Sequence, residues 1–159
     1  MNNAKVCLSD AINLIQEVLD SGGEFLLSPK GTSMLPLLIQ GEDRVVLKKY
    51  ESVLPKKHDI VFYRRENGDF VLHRLMKIQK DGTYVMCGDN QLILEEGILP
   101  SQIIAYVSMI HKNARPLSLS SFRYRIYVWL WCFLPYRRFV MFSKRIYHSI
   151  QRNLFGKRS

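Results

Sequence analysis

The C-terminal segment of this chain has no acidic residue. Residues 115–159 hold ten arginines and lysines and neither Asp nor Glu, whereas residues 1–112 carry 13 basic and 14 acidic side chains. The net charge of +9 therefore belongs to that segment alone, and only there is a polyanionic partner indicated. Cysteine is scarce. Cys7, Cys87 and Cys132 are scattered, without a CxxC pair or the Cys/His spacing of a zinc site. Neither a metal centre nor a disulfide framework is expected, and no motif asks for a cofactor. Long hydrophobic runs are also missing. The best candidate, residues 126–135, is half the roughly 20 residues that span a bilayer and ends at a proline before Arg137-Arg138. Residues 1–27 lack the basic start, apolar stretch and small-residue cleavage site of an export signal, so the expected location is cytoplasmic and peripheral to the membrane.

What is present suits one folded domain with an appendage: 159 residues, 47% of them apolar, and a mean hydropathy near zero. Leu8, Ile12, Ile15, Val18 and Leu19 recur at helical spacing, with Ser9 or Asp10 as cap and Ser21-Gly22-Gly23 as stop. This spacing predicts a short amphipathic helix over 9–20. Short apolar runs follow at 25–27, 44–47, 59–63, 70–78, 83–87 and 103–110, divided by turn signals. Asn67-Gly68 and Asp81-Gly82 between such runs predict hairpins. The pattern indicates a mainly β fold, an antiparallel barrel-like domain with a short N-terminal helix and a helical C-terminal tail. Its expected parts are the helix at 1–23, the β domain at 24–113, and a linker and tail at 114–159. Arg115-Pro116 and residues 118–121 read as the linker. Beyond them Tyr124, Tyr127, Trp129, Trp131, Phe133, Tyr136, Phe139, Phe142 and Tyr147 alternate with arginines, in two helical segments broken at Leu134-Pro135.

Three short motifs supply the residue types of a nucleophilic hydrolase. In Gly31-Thr32-Ser33-Met34-Leu35-Pro36 a serine sits in a tight turn. Gly31 permits backbone conformations closed to other residues, Pro36 fixes the chain, and Met34 and Leu35 can anchor it in the core. Such a turn presents a hydroxyl beside backbone N–H groups, an oxyanion hole supported by Gly31, Thr32 and Met34. An ordinary turn serine is the competing reading. His73 lies in an apolar run, sharing a strand face with Val71 and Leu75 while Arg74 faces the other way. A histidine among apolar neighbours is held neutral, as a general base requires, or is simply bonded to a backbone carbonyl. Asp89, in Cys87-Gly88-Asp89-Asn90, either bonds its own turn or orients His73. Glu95 and Glu96 are rival acids. His58, His111 and His148 lie in loop-like or basic contexts, and Asp59 reads as structural, bonding turn amides or an arginine.

Taken in order, Gly-x-Ser-Met-x-Pro, Asp-Ile-Val-Phe-Tyr, Val-Leu-His-Arg and Gly-Asp-Asn resemble the signal peptidase I family and its relatives, the self-cleaving repressors of the LexA type. The resemblance covers about residues 25–111. It implies Ser33 as nucleophile. Most bacterial members use a lysine base, whereas His73 followed by Arg74 resembles the histidine branch found in the endoplasmic reticulum and in archaeal-like members. For the third member of the triad it implies Asp89, which matches the Gly-Asp-Asn aspartate, or Glu95, near which a second acid of that branch falls by counting. Three features depart from the family. Where the family usually carries a membrane-spanning anchor, only a short amphipathic helix is expected, Gly31 replaces a small hydroxyl residue, and His58 replaces the glycine before Asp-Ile-Val. Residues 1–23 are too few for the DNA-binding domain of a repressor.

The expected function is a serine endopeptidase that cleaves a precursor peptide or protein held extended along a strand edge. The alternatives are a catalytically silent peptide-binding relative and a nucleic-acid binder acting through the tail. For residues 123–158 the expected partner is an anionic membrane surface, ahead of packing on the β domain and of nucleic acid.

Overall fold

The computed structural model describes residues 8–50 and 54–133 together with positions 137, 139, 140 and 142, and only the backbone of residues 8–11. Helix α1 (Leu8–Asp20) forms because Ile12, Ile15 and Leu19 recur on one face and are buried there. It ends where Gly22 takes φ 80° and the Gly23 N–H returns to the Val18 carbonyl at 2.9 Å. The caps expected at Ser9 or Asp10 fall outside the described side chains.

Eight strands follow: β1 (Glu24–Leu27), β2 (Arg44–Lys48), β3 (Ile60–Arg64), β4 (Phe70–Ile78), β5 (Tyr84–Cys87), β6 (Glu95–Ile98), β7 (Ile103–Lys112) and β8 (Arg115–Ser118). Every pairing is antiparallel. The order is β1-β2-β7-β3-β4-β5-β6, with β8 also on β7, and the sheet stays open between β1 and β6. The long β7 serves three neighbours, pairing β3 near its start, β2 over its second half and β8 at its end. The mainly antiparallel β architecture is thus the one its alternation and turns predict.

Both expected hairpins form. At the first, Arg65 N–H meets the Asp69 carbonyl at 2.8 Å and Gly68 takes φ 90°. That turn sets Val61 opposite His73 and Tyr63 opposite Val71. At the second, Gln79 N–H meets the Thr83 carbonyl at 2.8 Å.

The sheet buries one cluster on each face. One joins α1, Met34, Leu37 and Leu38 to Val45, Leu47, Ile60 and Phe62. The other gathers Val61, Tyr63, Leu75, Tyr84, Met86 and Ile98.

Two strands were not expected. The stretch read as a linker is instead β8, paired with the end of β7 where β3 no longer covers it. Pro116 is tolerated there because it sits in a short marginal strand. Strand β6, Glu-Glu-Gly-Ile, shows no apolar alternation and forms because β5 offers it an open edge.

Helix α2 (Phe122–Cys132) is capped by Ser121, whose hydroxyl accepts the Tyr124 N–H at 3.3 Å. The proposed break at Leu134-Pro135 lies outside the described residues, as do Cys7, Tyr136, Arg138, Tyr147, His148 and the basic residues from Lys144 onward. Among the described residues no helix is long and apolar enough to cross a membrane.

Candidate active site

The Ser33 turn is held from both ends. Gly31 takes φ 86° and its N–H donates to Gln40 Oε1 at 2.7 Å. Beyond the serine, Leu38 N–H donates to the Met34 carbonyl at 2.9 Å, the Leu35–Pro36 bond is cis, and Met34, Leu37 and Leu38 are buried. Thr32 is exposed and Ser33 half-buried. Among the described residues neither the hydroxyl nor the N–H of Ser33 enters a hydrogen bond, while its carbonyl accepts the Asn90 N–H at 2.7 Å. The Gly88–Gln91 turn thus lies against the serine turn, backbone on backbone.

His73 is buried on β4. Its Nδ1 lies 3.3 Å from the Tyr63 hydroxyl, which donates its one proton to Glu95 Oε2 at 2.8 Å. The phenol oxygen must therefore accept from Nδ1–H, leaving the lone pair on Nε2. Glu95 Oε2 is itself 3.9 Å from Nδ1. Arg65 grips the same carboxylate at 2.8 and 2.6 Å. Burial, reinforced by the Arg65 charge, lowers the His73 pKa to about 4 against the opposing pull of Glu95 and Asp89. The imidazole is neutral at pH 7. Burial also opposes ionisation of Glu95, but the bonds from Arg65 and Tyr63 outweigh it and hold the carboxyl below its ordinary range. Burial and Glu95 together keep the Tyr63 phenol protonated.

Asp89 is placed differently. Its carboxylate receives Arg74 Nε at 2.8 Å and Nη2 at 2.7 Å, with both side chains fully buried. The Tyr127 hydroxyl adds a bond at 2.9 Å, and Trp131 Nε1 donates to the Asp89 carbonyl at 2.6 Å. Arg74 also donates to the His58 carbonyl and the Tyr124 hydroxyl. Arg137, buried, donates to the carbonyls of Gly88 and Gln91. Asp89 thus belongs to a clamp that ties α2 and Arg137 to the turn under Ser33. Of the two acids open for the third role, Glu95 is the one beside His73 Nδ1, and Glu96 is exposed. Asp59 is structural: it accepts the Lys56 N–H and the Tyr50 hydroxyl, each at 2.9 Å.

Ser33 and His73 line one cavity of about 890 Å³, whose apolar wall includes Ile12, Ile15, Leu27, Met34 and Phe62. Residues 28–31 and 70–73 also line it. The β4–β5 ladder begins only at Arg74, so residues 70–73 pair on the β3 side alone. They leave a strand edge open to the cavity. No cluster of three or more His, Cys, Asp or Glu among the described residues is placed to hold a metal ion.

Tyr63, Arg65, Arg74 and Arg137 were not singled out as site residues from sequence. A signal for Tyr63 was available. A hairpin centred on Asn67 puts Tyr63 and His73 on one face, diagonal to each other. For Arg137, no sequence signal pointed to the turn it holds. Comparison with family models, with characterised proteins and with solved structures gives no match for this chain.

Proposed function

We propose that this chain is a serine endopeptidase in which Ser33 is the nucleophile and His73 the general base. The observation that carries the reading is a shared cavity: a serine with an uncommitted hydroxyl and N–H opens onto the same space as a neutral histidine whose Nδ1 is occupied. The order of motifs shared with signal peptidases supports it. An extended peptide would add to the open edge at residues 70–73, with apolar side chains entering the cavity. Ser33 Oγ attacks the scissile carbonyl carbon as His73 Nε2 takes the hydroxyl proton. The Ser33 N–H stabilises the oxyanion. His73 returns the proton to the departing amine, leaving an acyl-serine ester. Water, deprotonated by His73 Nε2, attacks that ester, and the ring returns the proton to Ser33 Oγ as the new carboxyl terminus departs. Through this cycle Tyr63 and Glu95 keep the ring oriented and stabilise the imidazolium.

A second reading, a catalytically silent peptide-binding protein, rests on one observation: Ser33 Oγ forms no hydrogen bond with His73. Full-length protein incubated with a proteome-derived peptide library decides between them by mass spectrometry of peptide termini. New termini that disappear with Ser33→Ala and with His73→Ala are expected. Peptides retained by wild type without any new terminus would establish the silent reading.

A further inference from the structure

We propose that α2 seats this domain on an anionic bilayer as an interfacial helix. Both long faces of α2 are apolar, and only one is covered. Tyr124, Tyr127 and Trp131 point inward to Arg74 and Asp89. At about 100° per residue, Phe122, Ile126, Trp129 and the capping Phe133 fall within about 60° of arc on the opposite side. These four are 77%, 42%, 75% and 62% exposed. Arg123 and Arg125, both exposed, flank the stripe on either side. A row of aromatic and aliphatic side chains between arginines suits the headgroup region, with rings at the acyl boundary and guanidinium groups on phosphates.

Charge selects the partner. The whole positive excess of the chain lies in residues 115–159. A neutral apolar groove would cover the stripe and leave that charge unanswered. Nucleic acid would answer the charge but does not require Ile126 and Phe133 in register with Phe122 and Trp129. An anionic lipid surface meets both demands.

A second exposed apolar segment follows the turn on which α2 packs. Leu92, Ile93 and Leu94 are exposed, Ile93 by 85%. They follow Gln91, which lines the cavity and whose carbonyl is held by Arg137, beside the Asp89 carbonyl held by Trp131. The inward face of α2 thus rests on the turn whose Gln91 lines the Ser33 cavity, so the helix that carries the stripe is tied to the site through that turn.

Sedimentation of the full chain with vesicles of phosphatidylcholine, with and without phosphatidylglycerol, tests the seat. Binding to the anionic vesicles, weakened by high salt, is expected. Trp129→Ser combined with Phe133→Ser should weaken it about tenfold or more at an unchanged melting temperature. The Ser33→Ala variant should bind like wild type, so a failed peptidase reading leaves this result intact. Absence of binding to anionic vesicles, binding indifferent to the double replacement, or binding to oligonucleotides without binding to vesicles would overturn the proposal.

Discussion

A Cβ placed on Gly88 would lie 2.6 Å from the carbonyl oxygen of Ser33. No side chain fits between the two turns, so the glycine is demanded by the position of the serine backbone. Gly88→Ala should therefore displace the Ser33 turn and cost about 1–3 kcal/mol, as overpacking does. Ser33→Ala, by contrast, should leave the denaturation midpoint unchanged and reduce cleavage about a thousandfold or more. Urea unfolding and peptide cleavage measured on both variants separate the two effects.

Tyr63→Phe should slow cleavage while leaving the fold intact. The replacement leaves Nδ1–H of His73 without its phenol acceptor in a buried site, a loss of about 1–3 kcal/mol. That corresponds to a rate reduction of about five- to 150-fold, read from kcat/KM. An unchanged rate would remove Tyr63 from any positioning role.

The pH dependence follows from His73. In the proposed mechanism cleavage requires the neutral ring, so kcat/KM should fall only as pH drops through about 4, well below the ordinary histidine range. Glu95 favours protonation of the ring and Arg65 opposes it. Glu95→Gln should therefore move the acid limb to lower pH, and Arg65→Gln to higher pH. Stability carries the same signature. Between the unfolded value near 6.5 and about 4, the unfolded chain binds the extra proton, so stability declines as pH falls through that window. The full loss is roughly 3 kcal/mol. Denaturation at several pH values, with His73→Gln as control, measures it.

Asp89→Ala should destabilise the protein by about 3–5 kcal/mol, because it leaves Arg74 buried without its counter-charge. Pairing it with Arg74→Met should recover much of that loss. Equilibrium unfolding of the single and double variants provides the check. A residue serving only to orient His73 would show the opposite pattern, with full stability and lost activity.

His58 occupies a left-handed backbone conformation at φ 79°, at the position where the resembling family carries glycine. His58→Gly should relieve about 1–2 kcal/mol of steric cost, less a smaller entropic penalty in the unfolded chain. A rise of about 2–4 °C in Tm is expected by calorimetry.

The local features of this protein were legible in its residues. Alternation and turn glycines marked six strands and both hairpins, and α1 ends at Asp20, where its spacing and the following glycines place the stop. Gly31 and Pro36 marked the Ser33 turn. His73 and Arg74 were assigned to opposite faces by strand geometry, and each meets different partners. Such features are short-range: dihedral preferences and spacing of apolar side chains within a few residues specify them.

The tertiary structure alone decided which acid stands by His73. Glu95 arrives on β6, a polar strand with no periodicity of its own, which exists because β5 presents unpaired backbone. Asp89 is claimed by Arg74, and α2 closes over that pair with residues far along the chain. Local sequence encodes neither choice, because each depends on which buried charges and open strand edges the folded chain brings within bonding distance.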